Sequence, residues 1–231
     1  GVPMAKTYSW VCTEKGKMVR QEFDLPEIGP DDLLMKVRMV TICGSDPHYL
    51  MDHMGNTQFP QILGHEMVGT VYQAGERAKK NYQVEIGDRI TVEPYIPCGT
   101  CQNCLSGYYQ LCEHGTRAYG CTISCSEPPH LWGAYGEYMY VAPGSMVHKV
   151  PAWIQDEDVV LSSNIGNGYR FIQKKAQLKA NESVLILGPG AMGLATVIAA
   201  KECGVYPIIV TGVGEKDAPR LALAEEYGAD Y

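Results

Sequence analysis

The chain has 231 residues, of which 45% are hydrophobic, and this combination can bury a substantial core in one or two domains. Its 19 basic and 26 acidic side chains give a net charge of −7, which excludes nucleic acid as an expected partner. Nine cysteines without a preceding signal peptide favour a reduced, cytoplasmic setting over a disulfide scaffold. Glycines and a proline interrupt the most apolar stretch, 184–200, so we expect no membrane segment.

The N-terminal part of the chain has the pattern of β structure. Gly1–Pro3 precede Met4 and are interpreted as foreign to the natural chain. Alternating segments at 33–40, 67–72 and 89–92 predict strands separated by turn-forming clusters. After Pro151 the pattern becomes helical. We therefore place a domain boundary near 151–156 and predict two domains, 1–152 and 153–231.

The stretch 41–66 concentrates groups that zinc accepts as ligands. It contains a thiolate in Cys43, imidazoles in His48 and His65, and carboxylates in Asp46 and Glu66. So many donors within a couple of dozen residues predict a catalytic metal site.

A second cluster has the spacing C-x2-C-x2-C-x7-C and comprises Cys98, Cys101, Cys104 and Cys112. Four thiolates this close can close a tetrahedron around one zinc and leave no open position, which predicts a structural site. An iron–sulfur cluster or two disulfides would use the same residues, but a reduced setting disfavours the disulfides.

An insert at 120–133 carries two more cysteines, Cys121 and Cys125. Their spacing would allow a third metal with His114 or His130, but unpaired thiols in a surface loop are the favoured interpretation. The aromatic residues there could reach an active-site cleft but are expected to serve packing; they are Trp132 and Tyr135.

A G-x-G-x-x-G motif lies between a predicted buried strand at 183–187 and an apolar helix ending near Cys203. Its residues include Gly188, Gly190, Met192 and Gly193. Glycines at these positions let a pyrophosphate approach the backbone at the start of a helix, so this context predicts dinucleotide binding.

The next predicted strand, 207–211, should end beside the adenosine ribose, where NAD enzymes usually have an acidic residue. Gly212 occupies that position, and Lys216 or Arg220 could neutralise a 2′-phosphate. NADP is therefore favoured over NAD. The alternative is that Glu215 or Asp217 reaches the ribose.

Two segments resemble known enzymes. Gly64-His65-Glu66, followed by Gly69, Gly75 and Ala78, is similar to the signature of the zinc-containing medium-chain alcohol dehydrogenases. The upstream Cys43-Gly-Ser-Asp-x-His resembles the sorbitol and other polyol dehydrogenases of that superfamily. The resemblance implies an α/β protein with a β-rich part, in which a GroES-like barrel catalytic domain is followed by a Rossmann domain. Only two strand–helix units follow residue 183, so the Rossmann domain is incomplete and we expect an N-terminal fragment of a longer protein.

The resemblance also implies the metal ligands. Cys43 and His65 match two of them, whereas the second cysteine of the ethanol-active enzymes corresponds to Ser163, a poor zinc ligand. In the polyol branch the glutamate after the histidine coordinates instead. We therefore favour Glu66 as third ligand, with Ser163 or Asn164 as the alternative.

Three further residues have roles implied by the same family. Asp46 is expected to accept a hydrogen bond from His65 and fix its tautomer, with an Asx turn after Gly44 as the alternative. Ser45 and His48 match the family's proton relay, which runs through the cofactor ribose towards the surface.

The function that the resemblance implies is zinc-dependent, NAD(P)-linked oxidation of a polyol or other secondary alcohol, or the reverse carbonyl reduction. A full-length homo-oligomer, dimer or tetramer, is expected. One alternative is a zinc-independent enone or quinone reductase, although that class would not need both cysteine sites. The other is a non-catalytic, zinc-stabilised binding protein on the same fold.

Overall fold

The computed structural model describes residues 5–231, and the interpretation of Gly1–Pro3 lies outside them. Contacts divide the chain into two compact units, one ending at Val160 and one from Leu161 to Tyr231. This division falls a little beyond the predicted boundary near 151–156. Asp156 explains why, because its carboxylate pairs with Arg38 at 2.6 Å and Arg89 at 2.8 Å and ties its segment to the first unit.

The first unit is β-rich, as predicted, with short helices between its strands. Its elements are β1 (Lys6–Glu14), β2 (Lys17–Asp24), β3 (Leu33–Val40), α1 (Asp46–Leu50), β4 (Gln61–Ile62), β5 (Met67–Ala74), α2 (Glu76–Tyr82), β6 (Arg89–Val92), α3 (Gln102–Leu105), β7 (Tyr138–Val141), β8 (Val147–Lys149) and α4 (Asp156–Val159).

Two antiparallel sheets build this unit. One has five strands in the order β7-β3-β5-β6-β8, and the other has three in the order β2-β1-β4. Strand β3 has a buried start at 33–35 and then alternates, since Lys36 is exposed and Val37 half-buried. The buried side chains form a core that includes Val11, Leu34, Ile62 and Met139. The link between β3 and α1 and the link between β4 and β5 carry the predicted metal donors.

The second unit contains a parallel pair of strands with helices. Its elements are α5 (Ser162–Tyr169), continued by π-helical turns at Arg170–Lys175, β9 (Val184–Leu187), α6 (Ala191–Glu202), β10 (Ile208–Thr211) and α7 (Ala218–Tyr227). Strands β9 and β10 pair in register from Val184 with Ile208 to Leu187 with Thr211. A strand–helix–strand unit with parallel strands is the predicted nucleotide-binding arrangement. Within residues 5–231, no helix has the length and apolar character needed to cross a bilayer.

Candidate metal centres and cofactor turn

A close crossing of two backbone segments positions His65. Gly64 has a φ of +91°, and a Cβ added there would lie 2.5 Å from the Tyr135 ring. Gly120 has a φ of +66°, and a Cβ added there would lie 2.3 Å from the Gly64 carbonyl oxygen. Only glycine tolerates both the conformation and the contact. The backbone before His65 is therefore held against two distant parts of the chain.

Three of the predicted ligands come together beside this crossing. The ligand atoms of Cys43, His65 and Glu66 all lie within 4.8 Å of one another, and His65 and Glu66 are buried. Bonds of about 2.0–2.3 Å to one tetrahedral zinc place its ligands about 3.3–3.8 Å apart. The thiol, imidazole and carboxylate lie only slightly farther apart than ligands of one zinc, so this donor set fits a zinc ion. Ser163 and Asn164 lie on α5 in the second unit, and the choice between them and Glu66 stays a prediction.

The Asp46 carboxylate lies between two of the predicted ligands, Cys43 and His65. Its Oδ2 accepts hydrogen bonds from the Cys43 backbone N–H at 2.7 Å and the Tyr135 hydroxyl at 2.8 Å. The first of these binds the backbone three residues before Asp46, whereas the Asx turn offered as the alternative role would bind it two residues after the side chain. Its Oδ1 lies 3.5 Å from His65 Nδ1, beyond a good hydrogen bond, and both atoms are buried without a closer partner. Asp46 and His65 thus lie next to each other as predicted, but at 3.5 Å the expected hydrogen bond is not formed.

The thiol and the imidazole influence each other's charge. A hydrogen bond to His65 lowers the pKa of Cys43, an effect that burial opposes and Ser45 reinforces. Burial lowers the pKa of His65, but the neighbouring Asp46 carboxylate and the Cys121 and Cys43 sulfurs outweigh burial and raise the pKa overall. A lowered thiol pKa favours the thiolate, which is the form that binds metals.

Glu66 is held in place by Thr41. The Thr41 hydroxyl donates to Glu66 Oε2 at 2.5 Å, and the Thr41 backbone N–H donates to the Glu66 carbonyl oxygen at 3.0 Å. A carboxylate fixed in this way needs less ordering when it binds a metal. Nothing in the sequence singled out Thr41.

The two predicted relay residues lie on either side of the start of α1. Ser45 Oγ is 3.5 Å from His65 Nε2, so it borders the metal donors. His48 is exposed, and its Nδ1 lies 2.9 Å from Nδ1 of His53, a partner that the sequence did not suggest. One ring nitrogen must carry the proton and the other accept it.

The four-cysteine cluster is also assembled. The four sulfurs of Cys98, Cys101, Cys104 and Cys112 lie within 4.8 Å of one another. Those of Cys98 and Cys104 are 3.7 Å apart, close to the spacing of about 3.8 Å between two sulfurs on one tetrahedral zinc. Hydrogen bonds from Thr100 and Cys101 lower the pKa of Cys98 to about 5. This donor set fits a closed zinc site.

The interpretation of Cys121 and Cys125 as surface-loop thiols is wrong. Their exposed fractions are 9% and 4%, because the insert folds inward against 60–65. Cys125 packs in the core, and its carbonyl oxygen contacts His130 Nδ1 at 2.9 Å. The Cys121 sulfur contributes to raising the pKa of His65. Among residues 5–231 only two groups of three or more donors are close enough to share an ion, and neither contains Cys121, Cys125, His114 or His130.

The insert's two aromatic residues have different environments. Trp132 is buried and packs edge-on against Tyr140, as expected for a core residue. Tyr135 packs on Gly64 and also donates to Asp46, so it reaches the metal donors as well. The expectation that Tyr135 serves packing alone is therefore incomplete.

The glycine motif makes a tight turn between β9 and α6. Gly188 has a φ of +99°, and a Cβ on Gly193 would lie 2.0 Å from the Gly188 carbonyl oxygen. Gly190 immediately precedes α6 and has open space around it, while Met192 lies in the first turn of the helix. The open start of a twelve-residue helix is the place where a pyrophosphate would bind.

The end of β10 explains why Gly212 is not an acid. A Cβ there would lie 2.9 Å from Asp217 Cβ, so a larger side chain would clash. Asp217 is buried, and its Oδ2 accepts a hydrogen bond from the Val213 N–H at 2.7 Å. Arg220 is exposed, with Nη1 3.6 Å from Asp217 Oδ1. Asp217 thus supports the turn, and Arg220 faces solvent beside it.

The first unit is thus β-rich and carries a three-donor cluster that fits a metal, and the second contains a strand–helix–strand arrangement with a glycine turn. Residues 29–152 match the model of the alcohol dehydrogenase GroES-like domain. The chain belongs to this family, which confirms the predicted family and fold class.

Individual relatives agree with this assignment. The chain is 39% identical over 216 residues to a protein of Mycobacterium tuberculosis named a probable alcohol dehydrogenase, covering 93% of this chain and 58% of the relative. It is 32% identical to a sorbitol dehydrogenase of Arabidopsis thaliana, covering 91% and 54%. A zinc-binding dehydrogenase candidate of Sinorhizobium meliloti 1021, solved with NADP bound, matches with a TM-score of 0.81 and 31% identity, covering 98% and 61%. The chain therefore spans less than two thirds of each.

Proposed function

We propose that the protein carrying this chain is a zinc-dependent, NAD(P)-linked dehydrogenase of a polyol or other secondary alcohol, and that it also reduces the corresponding carbonyl compound. The observation that carries the proposal is the grouping of Cys43, His65 and Glu66 within 4.8 Å. One thiol, one imidazole and one carboxylate leave a fourth position open on a tetrahedral zinc. A relative named a sorbitol dehydrogenase supports the polyol class.

The residues around the centre have distinct tasks in this proposal. Zinc held by Cys43, His65 and Glu66 would act as a Lewis acid towards the substrate oxygen. Ser45, whose hydroxyl lies 3.5 Å from His65 Nε2, is placed to take the proton that an alcohol must lose. His48 is exposed and can pass a proton to water. Asp46 orients His65 from the other side of the ring.

The four-cysteine cluster has a different task. We propose that Cys98, Cys101, Cys104 and Cys112 hold a structural zinc, because four sulfurs leave no position for a substrate. The surrounding lobe has few buried apolar residues, so metal binding would supply much of its stability.

We further propose that NADP is preferred over NAD. The usual ribose acid is replaced by Gly212, where a side chain would clash with Asp217. Asp217 is itself engaged by the Val213 N–H, which leaves Glu215, Lys216 and Arg220 as the exposed charged groups beside the turn. An arginine there can pair with a 2′-phosphate. Replacing Arg220 by Ala should raise the KM for NADP and leave the KM for NAD nearly unchanged.

The decisive experiment measures zinc and activity together in the protein that carries this chain. Substrates from the polyol and secondary-alcohol classes are screened with NAD and NADP in parallel. We expect two zinc ions per chain in the wild type, one in Cys43→Ser, and loss of alcohol-dependent cofactor reduction in that variant. The matched control is Cys203→Ser, a half-buried thiol in the second unit. Zinc confined to the four-cysteine cluster would refute the mechanism and favour a non-catalytic, zinc-stabilised protein.

A further inference from the structure

His48 of α1 and His53 of the turn that follows this helix meet at the surface. Their Nδ1 atoms are 2.9 Å apart, and both side chains are exposed. The ring centroids are 5.1 Å apart, and the ring planes are inclined by 65°. A centroid distance so much longer than the nitrogen–nitrogen distance means that the two Nδ1 atoms face each other along the line joining the rings. This is the geometry of a hydrogen bond between the two imidazoles.

The geometry argues against a shared metal ion as the reason for this contact. Two nitrogens bound to one ion direct their lone pairs at a point beside the line between them, which brings the rings closer together than two facing nitrogens do. Within the described chain, the pair also belongs to neither of the two groups of three or more donors that could hold an ion. The contact is therefore a hydrogen bond in which one Nδ1 carries the proton and the other accepts it.

The turn after α1 holds the two rings together. The His53 backbone N–H donates to the His48 carbonyl oxygen at 3.0 Å. Between them Asp52 has a φ of +47°, a left-handed conformation that costs a residue other than glycine about 1–2 kcal/mol. Asp52 Oδ1 accepts a hydrogen bond from the Thr57 N–H at 3.0 Å, and Thr57 Oγ1 donates to the Tyr49 carbonyl oxygen at 2.8 Å. These contacts impose the conformation of Asp52, which turns the chain so that His53 meets His48.

We propose that His53 fixes the tautomer of His48, so that His48 carries its proton on Nδ1 and accepts a further proton at Nε2. The inference rests on the proposed function, in which His48 receives the proton that the alcohol loses. Because the His53 ring occupies Nδ1 of His48, only Nε2 is left for that proton, and a neutral ring accepts at Nε2 only while Nδ1 carries the hydrogen. His53 must then accept at its own Nδ1.

His53 is in this account a positioning residue that acts through His48. The proton that His48 takes up at Nε2 leaves from Nε2 to water, because the ring is exposed, and the pair returns to its starting tautomers. No bond other than those of the transferred proton is made or broken.

NMR reads the tautomers directly from the ring nitrogens, without substrate or cofactor. The full-length protein is labelled with isotopic nitrogen in histidine and studied at about pH 9, where histidines of ordinary pKa are neutral. His48→Ala identifies the signals of His48. We expect the wild type to show His48 protonated at Nδ1 and His53 protonated at Nε2.

Two substitutions of His53 form a matched pair. His53→Ala should move His48 largely to the Nε2–H form. His53→Asn should keep the Nδ1–H form, because the asparagine oxygen can accept the same hydrogen bond. The control is His148→Gln, which removes a histidine that pairs with Glu93 and should leave the tautomer of His48 unchanged.

Activity provides a second measurement. His53→Ala should lower the kcat of alcohol oxidation by about threefold to fivefold with KM nearly unchanged, because some of the His48 rings still have the competent tautomer. His48→Ala removes the proton acceptor itself and should cost more, up to ~100-fold. His53→Asn should recover most of the wild-type kcat.

The outcomes separate this inference from the proposed function. If His48 carries its proton on Nε2 in the wild type, or keeps its tautomer in His53→Ala, the inference is overturned, while zinc content and the activity of Cys43→Ser still decide the proposed function. If the tautomers are as expected but the wild type oxidises no alcohol, the proposed function fails and the pair has no role in catalysis. Should circular dichroism show that His53→Ala has lost its fold, the wild type and His53→Asn decide.

Discussion

Substituting Gly64 by Ala should destabilise the protein more than the same change at Gly87, although both glycines have nearly the same backbone conformation. Their φ values are +91° and +90°. A left-handed conformation costs an alanine about 1–2 kcal/mol, and the loss of unfolded-state freedom is common to both variants, so these contributions cancel in the comparison. A Cβ at Gly87 meets nothing within 4 Å, whereas one at Gly64 lies 2.5 Å from a Tyr135 ring carbon and 3.0 Å from its backbone nitrogen. Overpacking of this kind costs about 1–3 kcal/mol, which is the expected difference.

Urea unfolding of the two variants and the wild type measures this difference, read as a change in midpoint at an unchanged m-value. Gly64→Ala should also lower zinc occupancy, because the displaced Tyr135 loses its 2.8 Å hydrogen bond to Asp46. Gly87→Ala should keep full occupancy. Equal midpoints for the two variants would show that the chain near Gly64 relaxes freely, and the account of a fixed crossing beside His65 would then be wrong.

Three further predictions concern a contact of Glu66, an ion pair of His148 and the four-cysteine segment. Thr41→Val removes the 2.5 Å hydrogen bond to Glu66 and should weaken zinc binding about tenfold in a chelator competition. Thr196→Val, which removes a 2.7 Å hydrogen bond to the Met192 carbonyl oxygen in the second unit, should not. A hydrogen bond to Glu93 raises the pKa of His148. The pair therefore stabilises the fold fully below the ordinary histidine pKa, and this stabilisation is lost as the pH rises through the raised pKa. His148→Gln should thus lower the Tm at about pH 6 and have little effect at about pH 9. Removing zinc with a chelator should expose the 98–112 segment to protease before the rest of the first unit is cleaved.

Features set by local pattern could be predicted from the sequence. Strand β3 at 33–40 and strand β6 at 89–92 begin and end at the predicted residues, because alternation and flanking turn residues define a strand within a few positions. The turn at Gly188 was predictable for a similar reason, since the motif, the strand and the helix are consecutive. The four cysteines at 98–112 are also close in sequence, and their assembly needs only one short lobe.

Contacts between distant segments could not be predicted in this way. Cys121 was interpreted as a surface thiol because an unpaired loop cysteine was preferred there over a ligand of a third metal. Its burial depends on Gly120 meeting Gly64, and nothing in the sequence relates one glycine to the other. The hydrogen bonds of Tyr135 to Asp46 and of Thr41 to Glu66 likewise join elements that only the folded sheet brings together.

The contacts of Gly120 and Tyr135 come from one segment, and this has a consequence for the metal centre. The segment 118–135 lies on the backbone of 62–65. The Tyr135 N–H donates to the Leu63 carbonyl oxygen, and the Ala134 N–H donates to the Gly64 carbonyl oxygen. A Cβ on Gly133 would lie 2.1 Å from the Ile62 carbonyl oxygen. His65 is therefore placed by a segment that contains none of the three grouped ligands. Because metal affinity depends on how well its donors are ordered beforehand, changes within 118–135 should alter zinc binding without touching Cys43, His65 or Glu66. The affinity of the centre for zinc should thus depend on the insert, even where the insert's side chains face the core.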